Sequence, residues 1–218
     1  MSAAARRRVA GVVPSAGRST RMGSPKALLP LEGSTFLRHV VRVLVAAGCR
    51  PVVAVVAEGD REMTAEARAA GARVLVNPDP GEGPITSLRL AIDALRDSVD
   101  GILWLPVDHP AVREETVRAV LEGAGREGAE LALPTFRGQR GHPAYFGATL
   151  FDELTDSDLI GGARTVVHRH LDAATLVEVS DAGVTTDVDT PAEYEALVSR
   201  RGGQSDASRQ NERRGGGP

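Results

Sequence analysis

Lysine is almost absent from this chain of 218 residues: of its 26 basic residues, 25 are arginine and only Lys26 is lysine. Ala, Gly and Val are abundant alongside Arg, which points to a compositional bias acting along the whole chain. The one position that keeps Lys therefore stands out. Cysteine is as scarce. Cys49 alone cannot form a disulfide within the chain, which fits a reducing, cytoplasmic setting, and at the end of a helix-like run it reads as structural. Aromatic residues make up 3%, so the core falls to Val, Leu, Ile and Ala, and the composition argues against stacking platforms for single-stranded nucleic acid. Apolar runs are short or broken by Arg, as in VVRVLVAAG, well below the ~18 residues that suggest a membrane span. The VAGVV that follows Arg6, Arg7 and Arg8 ends at Pro14, too soon for a signal peptide.

What remains is an ordinary soluble composition, 42% hydrophobic and 25% charged, long enough for one α/β domain with its own core. The net charge of −3 is unevenly spread: residues 1–8 carry +3, residues 199–218 carry +3, and the body, 9–198, carries −9. An acidic body argues against nucleic-acid binding, which needs a basic face. If it binds an anion such as a nucleotide, it needs local cations or a metal. The stretch SRRGGQSDASRQNERRGGGP is polar, Gly-rich and aperiodic. The expected organisation is a disordered basic N-terminus (1–8), one domain (9–198) and a disordered basic tail (199–218).

Within the domain, apolar strands alternate with amphipathic helices. VAGVV (9–13), PVVAVVA (51–57), ARVLV (72–76), GILWL (101–105) and ELALP (130–134) read as strands. Residues 35–47 place Phe36, Leu37, Val40, Val41, Leu44 and Val45 at helical spacing, with Ser34 as the expected N-cap and Gly48 as the stop. Further helices are expected at 60–70, from Pro84, at 113–124, near 148–154 and at 163–171, with strands at 143–146 and 175–179. Thr190 and Glu193 have the spacing of a capping box ahead of a last helix, with Pro191 in its first turn. This alternation predicts a Rossmann-like three-layer α/β fold, a mostly parallel sheet covered on both faces, with ligands at the carboxyl ends of its strands.

Just past the first strand stands VVPSAGRSTRMGSPKALLPL. It has neither the spacing of a Walker loop nor the G-x-G-x-x-G of a dinucleotide fingerprint. It does have Gly17, Gly23, the hydroxyls of Ser15, Ser19 and Thr20, and the cations Arg21 and Lys26. Glycines let backbone N–H groups approach phosphate oxygens, hydroxyls add donors, and the cations stabilise phosphoryl transfer. Asp108, after GILWLPV, and Asp189, before the capped helix, both fall where a sheet of this kind binds ligands. Hard carboxylate oxygens of that sort suit Mg²⁺. Asp187 stands two residues from Asp189 and ranks below it. His168 and His170 face different sides of their helix and do not make a metal pair. No nucleophile triad is evident.

SAGRSTRMGSPKALLPLEG resembles the N-terminal signature of the GT-A-like nucleotidyltransferases, L-A-A-G-x-x-x-R-M-G-x-P-K, and within them the molybdenum-cofactor branch of MobA/MocA-like NTP transferases. The resemblance runs over roughly 9–197. It recurs at NPDPGEGPITSLRLAI, VDHP, RGQRGHPAYF, LIGGAR and DVDTPAEY, in the family's order. It implies a nucleotide site built from Ser15, Ala16, Gly17, Arg18, Ser19, Arg21, Lys26, Asn77, Gly83 and Ser87. Arg21, Lys26 and Asp108 would be catalytic, and Asp108 and Asp189 would hold Mg²⁺. His142 and Arg164 would lie on the acceptor side, Arg164 against acceptor phosphate. His109 departs from the family, where Gln or another residue often follows the Asp, and reads as a packing or supporting residue.

The implied reaction moves a nucleoside monophosphate from an NTP to a phosphorylated acceptor, molybdopterin cofactor, and releases pyrophosphate. A phosphomonoester acceptor is anionic near neutral pH and needs no protein base. Cytidylyl members read A-A-G at the loop entrance and guanylyl members L-A-G-G. Ala16 here leans towards CTP, while Gly83-Pro84 leans towards GTP. Two alternatives stand beside this: transfer to a sugar phosphate or other small phosphate, and a noncatalytic molybdenum-cofactor carrier that serves a molybdoenzyme partner.

Overall fold

The computed structural model describes residues 7–17, 25–126 and 128–201. Strand β1 (Val9–Pro14) is fully buried until its last residue. A two-residue hairpin, β2 (Pro30–Leu31) and β3 (Ser34–Thr35), leads into α1 (Phe36–Ala47). Then follow β4 (Val52–Ala57), α2 (Arg61–Ala69), β5 (Arg73–Asn77), α3 (Pro84–Leu95), β6 (Gly101–Trp104) and α4 (Glu114–Ala124). The second half holds β7 (Leu131–Phe136), β8 (Gln139–Arg140), β9 (Ala144–Gly147), α5 (Phe151–Thr155), α6 (Ala163–Arg169) and β10 (Thr175–Glu178). A last helix, α7, covers 191–201.

The main sheet runs β10-β7-β9-β6-β1-β4-β5, with β8 added to β7. Pairs β5–β4, β4–β1, β1–β6 and β7–β10 are parallel, as expected. Strand β9 is the exception, lying antiparallel between β6 and β7. Its start, not its end, therefore lies at the edge where the parallel strands finish, with Ala144 opposite Trp104.

Side chains alternate across the sheet with a period of two. In β1, Val9 and Val13 join one core with the inward faces of α1, α2 and α4. Ala10 and Val12 join a second core with α3, α5 and α6. In β4, Val52, Ala54 and Val56 go one way and Val53 and Val55 the other. This makes the three-layer α/β sandwich. Cys49 is buried and its thiol is pushed up to about 12 by burial, so it packs as a small hydrophobe.

Three expectations change. The N-cap of α1 is Thr35, whose side chain accepts from the Arg38 N–H at 3.2 Å. Ser34 instead pairs with Leu31 in the hairpin. The ordered domain begins before residue 9: the Arg7 guanidinium reaches the Tyr145 hydroxyl at 3.2 Å, and the Arg8 N–H donates to Asp100 at 2.6 Å. It also ends later than 198, because α7 continues to residue 201 and Arg201 bonds to Glu32 at 3.0 Å. Of the tails expected at 1–8 and 199–218, residues 1–6 and 202–218 lie outside the described residues.

Arg201 also meets a buried histidine. His39 of α1 has Arg42 at 2.8 Å from Nδ1 and Arg201 at 3.4 Å from Nε2. Burial, then the charges of Arg201 and Arg42, pull its pKa down to about 4 against the opposing pull of Glu32. The unfolded chain protonates this residue below about 6.5 while the folded chain stays neutral, so stability falls as pH drops from there towards 4. Urea unfolding of wild type and His39→Gln at pH 7 and pH 4.5 reads this directly. The wild type is expected to lose on the order of 1–3 kcal/mol more than the variant over that interval.

Candidate active site

The site forms where β1, β6 and the start of β9 meet the sheet edge. The Ser15 N–H donates to the Val55 carbonyl at 2.8 Å, carrying the β1–β4 ladder one residue beyond the strand. Ser15, Ala16 and Gly17 then line a cleft of about 480 Å³. The Ser15 hydroxyl is buried without a partner. The chain returns at Pro25, and Lys26 opens a short 3-10 turn, Lys26–Leu28, on the same cleft. Arg18, Ser19 and Arg21, with Thr20 and Gly23, lie outside the described residues.

Lys26 draws together the two acids that sequence spacing set apart. Its ammonium group bonds to Asp189 Oδ1 and lies 3.8 Å from Asp108 Oδ2. The backbone enforces the meeting. Val188 N–H donates to the Asp108 carbonyl at 2.8 Å, so the segment before α7 is tied to the one after β6. Gly183 allows the approach: a Cβ there would stand 2.6 Å from the Ala111 carbonyl. Asp189 is then fixed at the mouth of α7. Its N–H and that of Thr190 both donate to Glu193 at 2.8 Å, and Glu193 N–H donates back to the Thr190 hydroxyl. This is the expected capping box, and its bonds hold the Glu193 carboxyl below the usual range. Asp108 Oδ1 is buried and has no hydrogen-bond partner.

The opposite wall is the start of α3. Gly83 has φ 95° and ψ −175°, a conformation that needs glycine, and it caps the helix with Pro84 at the first position. Gly83 and Ser87 both line the cleft. Asn77 does not. It is buried, donates to Thr86 at 2.8 Å and Ser87 at 3.0 Å, and accepts from Asp79 N–H at 3.0 Å. These bonds shape the turn before α3.

His142 lines the cleft, as does His109. Arg164 does not. It opens on two adjoining clefts of about 500 and 920 Å³. Asp187 opens on the larger of these, apart from the Lys26 cluster. His170 pairs with Glu153 at 2.6 Å, away from His168, which faces the larger cleft. Trp104 was missed by reading for polar groups. It is the single Trp, at the carboxyl end of β6, and lines all three clefts.

Sheet, loop, lysine and paired acids define the chain as an α/β nucleotidyltransferase. Residues 11–175 match the MobA-like NTP transferase domain, and the chain belongs to that family. It is 33% identical over 198 residues to nicotine blue oxidoreductase of Paenarthrobacter nicotinovorans, covering 87% of this chain and 96% of that one. It is 28% identical over 200 residues to a probable molybdenum cofactor guanylyltransferase of Mycolicibacterium paratuberculosis, covering 88% and 96%. The solved structure of Rv0371C of Mycobacterium tuberculosis in complex with manganese superposes with a TM-score of 0.72 at 28% identity, covering 88% of this chain and 98% of that one. No helix among the described residues is long and apolar enough to cross a membrane.

Asn77→Ala strips the buried partner from Ser87 and frees the turn ahead of α3. Urea denaturation is expected to show a loss of about 1–3 kcal/mol, the cost of leaving a buried polar group unpaired.

Proposed function

We propose that this chain transfers a nucleoside monophosphate from an NTP to a phosphorylated acceptor in a Mg²⁺-dependent reaction. The observation that carries this is the cluster of Lys26 with Asp108 and Asp189 on a cleft walled by Ser15–Gly17 and Gly83. An acceptor phosphate oxygen bonds to the NTP α-phosphorus, the bond from that phosphorus to the bridging oxygen breaks, and pyrophosphate leaves. Such chemistry asks the protein for alignment and charge rather than for a nucleophile.

The donor set fits a divalent cation. Two carboxylates converge, and one buried oxygen, Asp108 Oδ1, has nothing to bond. Mg²⁺ takes one or two carboxylates and keeps waters and phosphate oxygens as its other ligands. The manganese complex of the related mycobacterial protein supports the same reading. When bound, the ion supplies positive charge to the phosphates and orients them. Lys26 keeps the acids in register and adds its own charge. The Ser15 hydroxyl donates to phosphate, and the Gly83–Pro84 turn presents the positive end of α3 to the cleft.

Molybdopterin cofactor is the acceptor that the family and the guanylyltransferase relative favour. Ala16 favours CTP and Gly83-Pro84 favours GTP, and we take CTP first. Paired carboxylates beside a lysine support phosphoryl-group chemistry over the redox activity in the Paenarthrobacter relative's name. Pyrophosphate release assayed with each of the four NTPs, Mg²⁺ and molybdopterin cofactor tests the proposal. Release that needs both substrates is expected. Tight cofactor binding with no release from any NTP would favour a carrier, and release with a sugar phosphate alone would replace the acceptor.

Asp108→Asn is expected to keep the wild-type circular dichroism spectrum and lose at least about 10²-fold in kcat, the scale of one preorganised charge. Near-normal turnover would remove Asp108 from the metal site. Lys26→Arg is expected to fold normally and lose most activity, because a planar fork cannot take the place of a compact ammonium between two carboxylates. Full activity would make the single lysine a compositional accident.

A further inference from the structure

Tyr194, Leu197 and Arg201 stand three and four residues apart on α7 and so share one face of that helix. This face meets the hairpin β2–β3. The Tyr194 hydroxyl donates to the Pro30 carbonyl at 2.9 Å, and its ring lies 5.9 Å from that of Phe36 between centroids. Leu197 is buried in the same core as Leu31 and Phe36. The hairpin in turn continues the segment that carries Lys26. The Leu29 N–H donates to the Lys26 carbonyl and the Phe36 N–H to the Leu29 carbonyl, both at 3.0 Å.

Arg201 ends this face of α7. Its side chain is 18% exposed, and its guanidinium reaches three segments at once. Nη1 donates to Glu32 at 3.0 Å and stands 3.4 Å from His39 Nε2. Nη2 donates to the carbonyls of Pro110 and Ala111, each at 3.3 Å, on the loop that follows Asp108. A planar fork with several fixed donors is suited to bridging of this kind. The hairpin turn is built to meet it. Glu32 has φ 51° and Gly33 φ 75°, so both central residues lie in the left-handed region. Asn, Asp or Gly adopts that conformation more readily than Glu. What Glu adds is reach, which brings its carboxylate to Arg201.

We propose that this face of α7 is a clamp that sets the spacing of Lys26, Asp108 and Asp189, with Arg201 as its positioning residue. One helix then governs all three members of the cluster. Its first turn fixes Asp189, Tyr194 and the Arg201–Glu32 pair hold the segment beyond Lys26, and Arg201 holds the loop beyond Asp108. None of these ties passes through the charge on Lys26, so the spacing persists when phosphates or a cation compete for that ammonium. An ammonium on a flexible stem is placed no better than its backbone, and a shift of about 1 Å can cost roughly 10²-fold in rate. The effect on rate rests on nucleotidyl transfer; the clamp itself does not.

The single lysine makes the geometry measurable apart from activity. Acetic anhydride at one fixed pH acylates Lys26, whose side chain is 11% exposed, and peptide mass spectrometry separates it from the N-terminal amine. Wild type, Arg201→Gln and Tyr194→Phe are compared with Cys49→Ser, which weakens the same core away from the clamp. Arg201→Gln is expected to keep the wild-type circular dichroism spectrum and to acylate at least about threefold faster, as local opening exposes the amine. Tyr194→Phe moves the same way by less, and Cys49→Ser stays at the wild-type rate. Unchanged acylation in Arg201→Gln, or an equal rise in Cys49→Ser, overturns the clamp whatever the activity. With NTP, Mg²⁺ and molybdopterin cofactor, Arg201→Gln is expected to lose at least about tenfold in kcat while the KM for NTP changes much less. Wild-type kcat in a variant whose Lys26 acylates faster overturns the positioning role. If Lys26 reactivity rises as expected while wild type releases no pyrophosphate, the clamp stands and nucleotidyl transfer falls.

Discussion

The contact on which the site depends is Lys26 with Asp108 and Asp189. Two carboxylates at one sheet edge repel each other and cost free energy to desolvate, so a cation has to stand with them in the ligand-free protein. The fold serves that meeting from three directions. Strand β6 delivers Asp108, the capping box of α7 fixes Asp189, and the turn after Pro25 delivers Lys26. The Val188–Asp108 backbone bond and the close pass of Gly183 hold the first two segments together. In the proposed reaction phosphates and a divalent ion would enter a field already arranged, which is how electrostatic catalysis avoids reorganisation.

Much of the layered fold was legible because the period of the apolar residues changes cleanly from two to about 3.6 along the chain. Val52–Ala57 and Phe36–Ala47 lie within a residue or two of where the pattern put them. The orientation of β9 was not legible. Its four residues, AYFG, are buried on both faces as a parallel strand would be, and a pattern of burial carries no direction. That one strand decides that His142 reaches the site.

The site was readable where chemistry needs charge and less so where it needs shape. Lys26, Asp108 and Asp189 are brought together as motif and spacing implied. Asn77 was named for its family segment, and its three hydrogen bonds tie the turn after β5 to the first turn of α3. Trp104 looked like core because it ends an apolar run, and only the tertiary arrangement shows it facing three clefts. Arg164 carries the right charge on a neighbouring cleft. Side chains of one type serve packing, positioning or binding according to contacts that lie far apart in sequence.

The account stands or falls on the fate of the α-phosphate. CTP or GTP radiolabelled at that position would be incubated with the purified chain, Mg²⁺ and molybdopterin cofactor, and the products separated. The predicted result is label in a nucleotide–acceptor adduct, with unlabelled pyrophosphate formed in equal amount. Label that stays in the triphosphate, or that appears only as free nucleoside monophosphate, would contradict it.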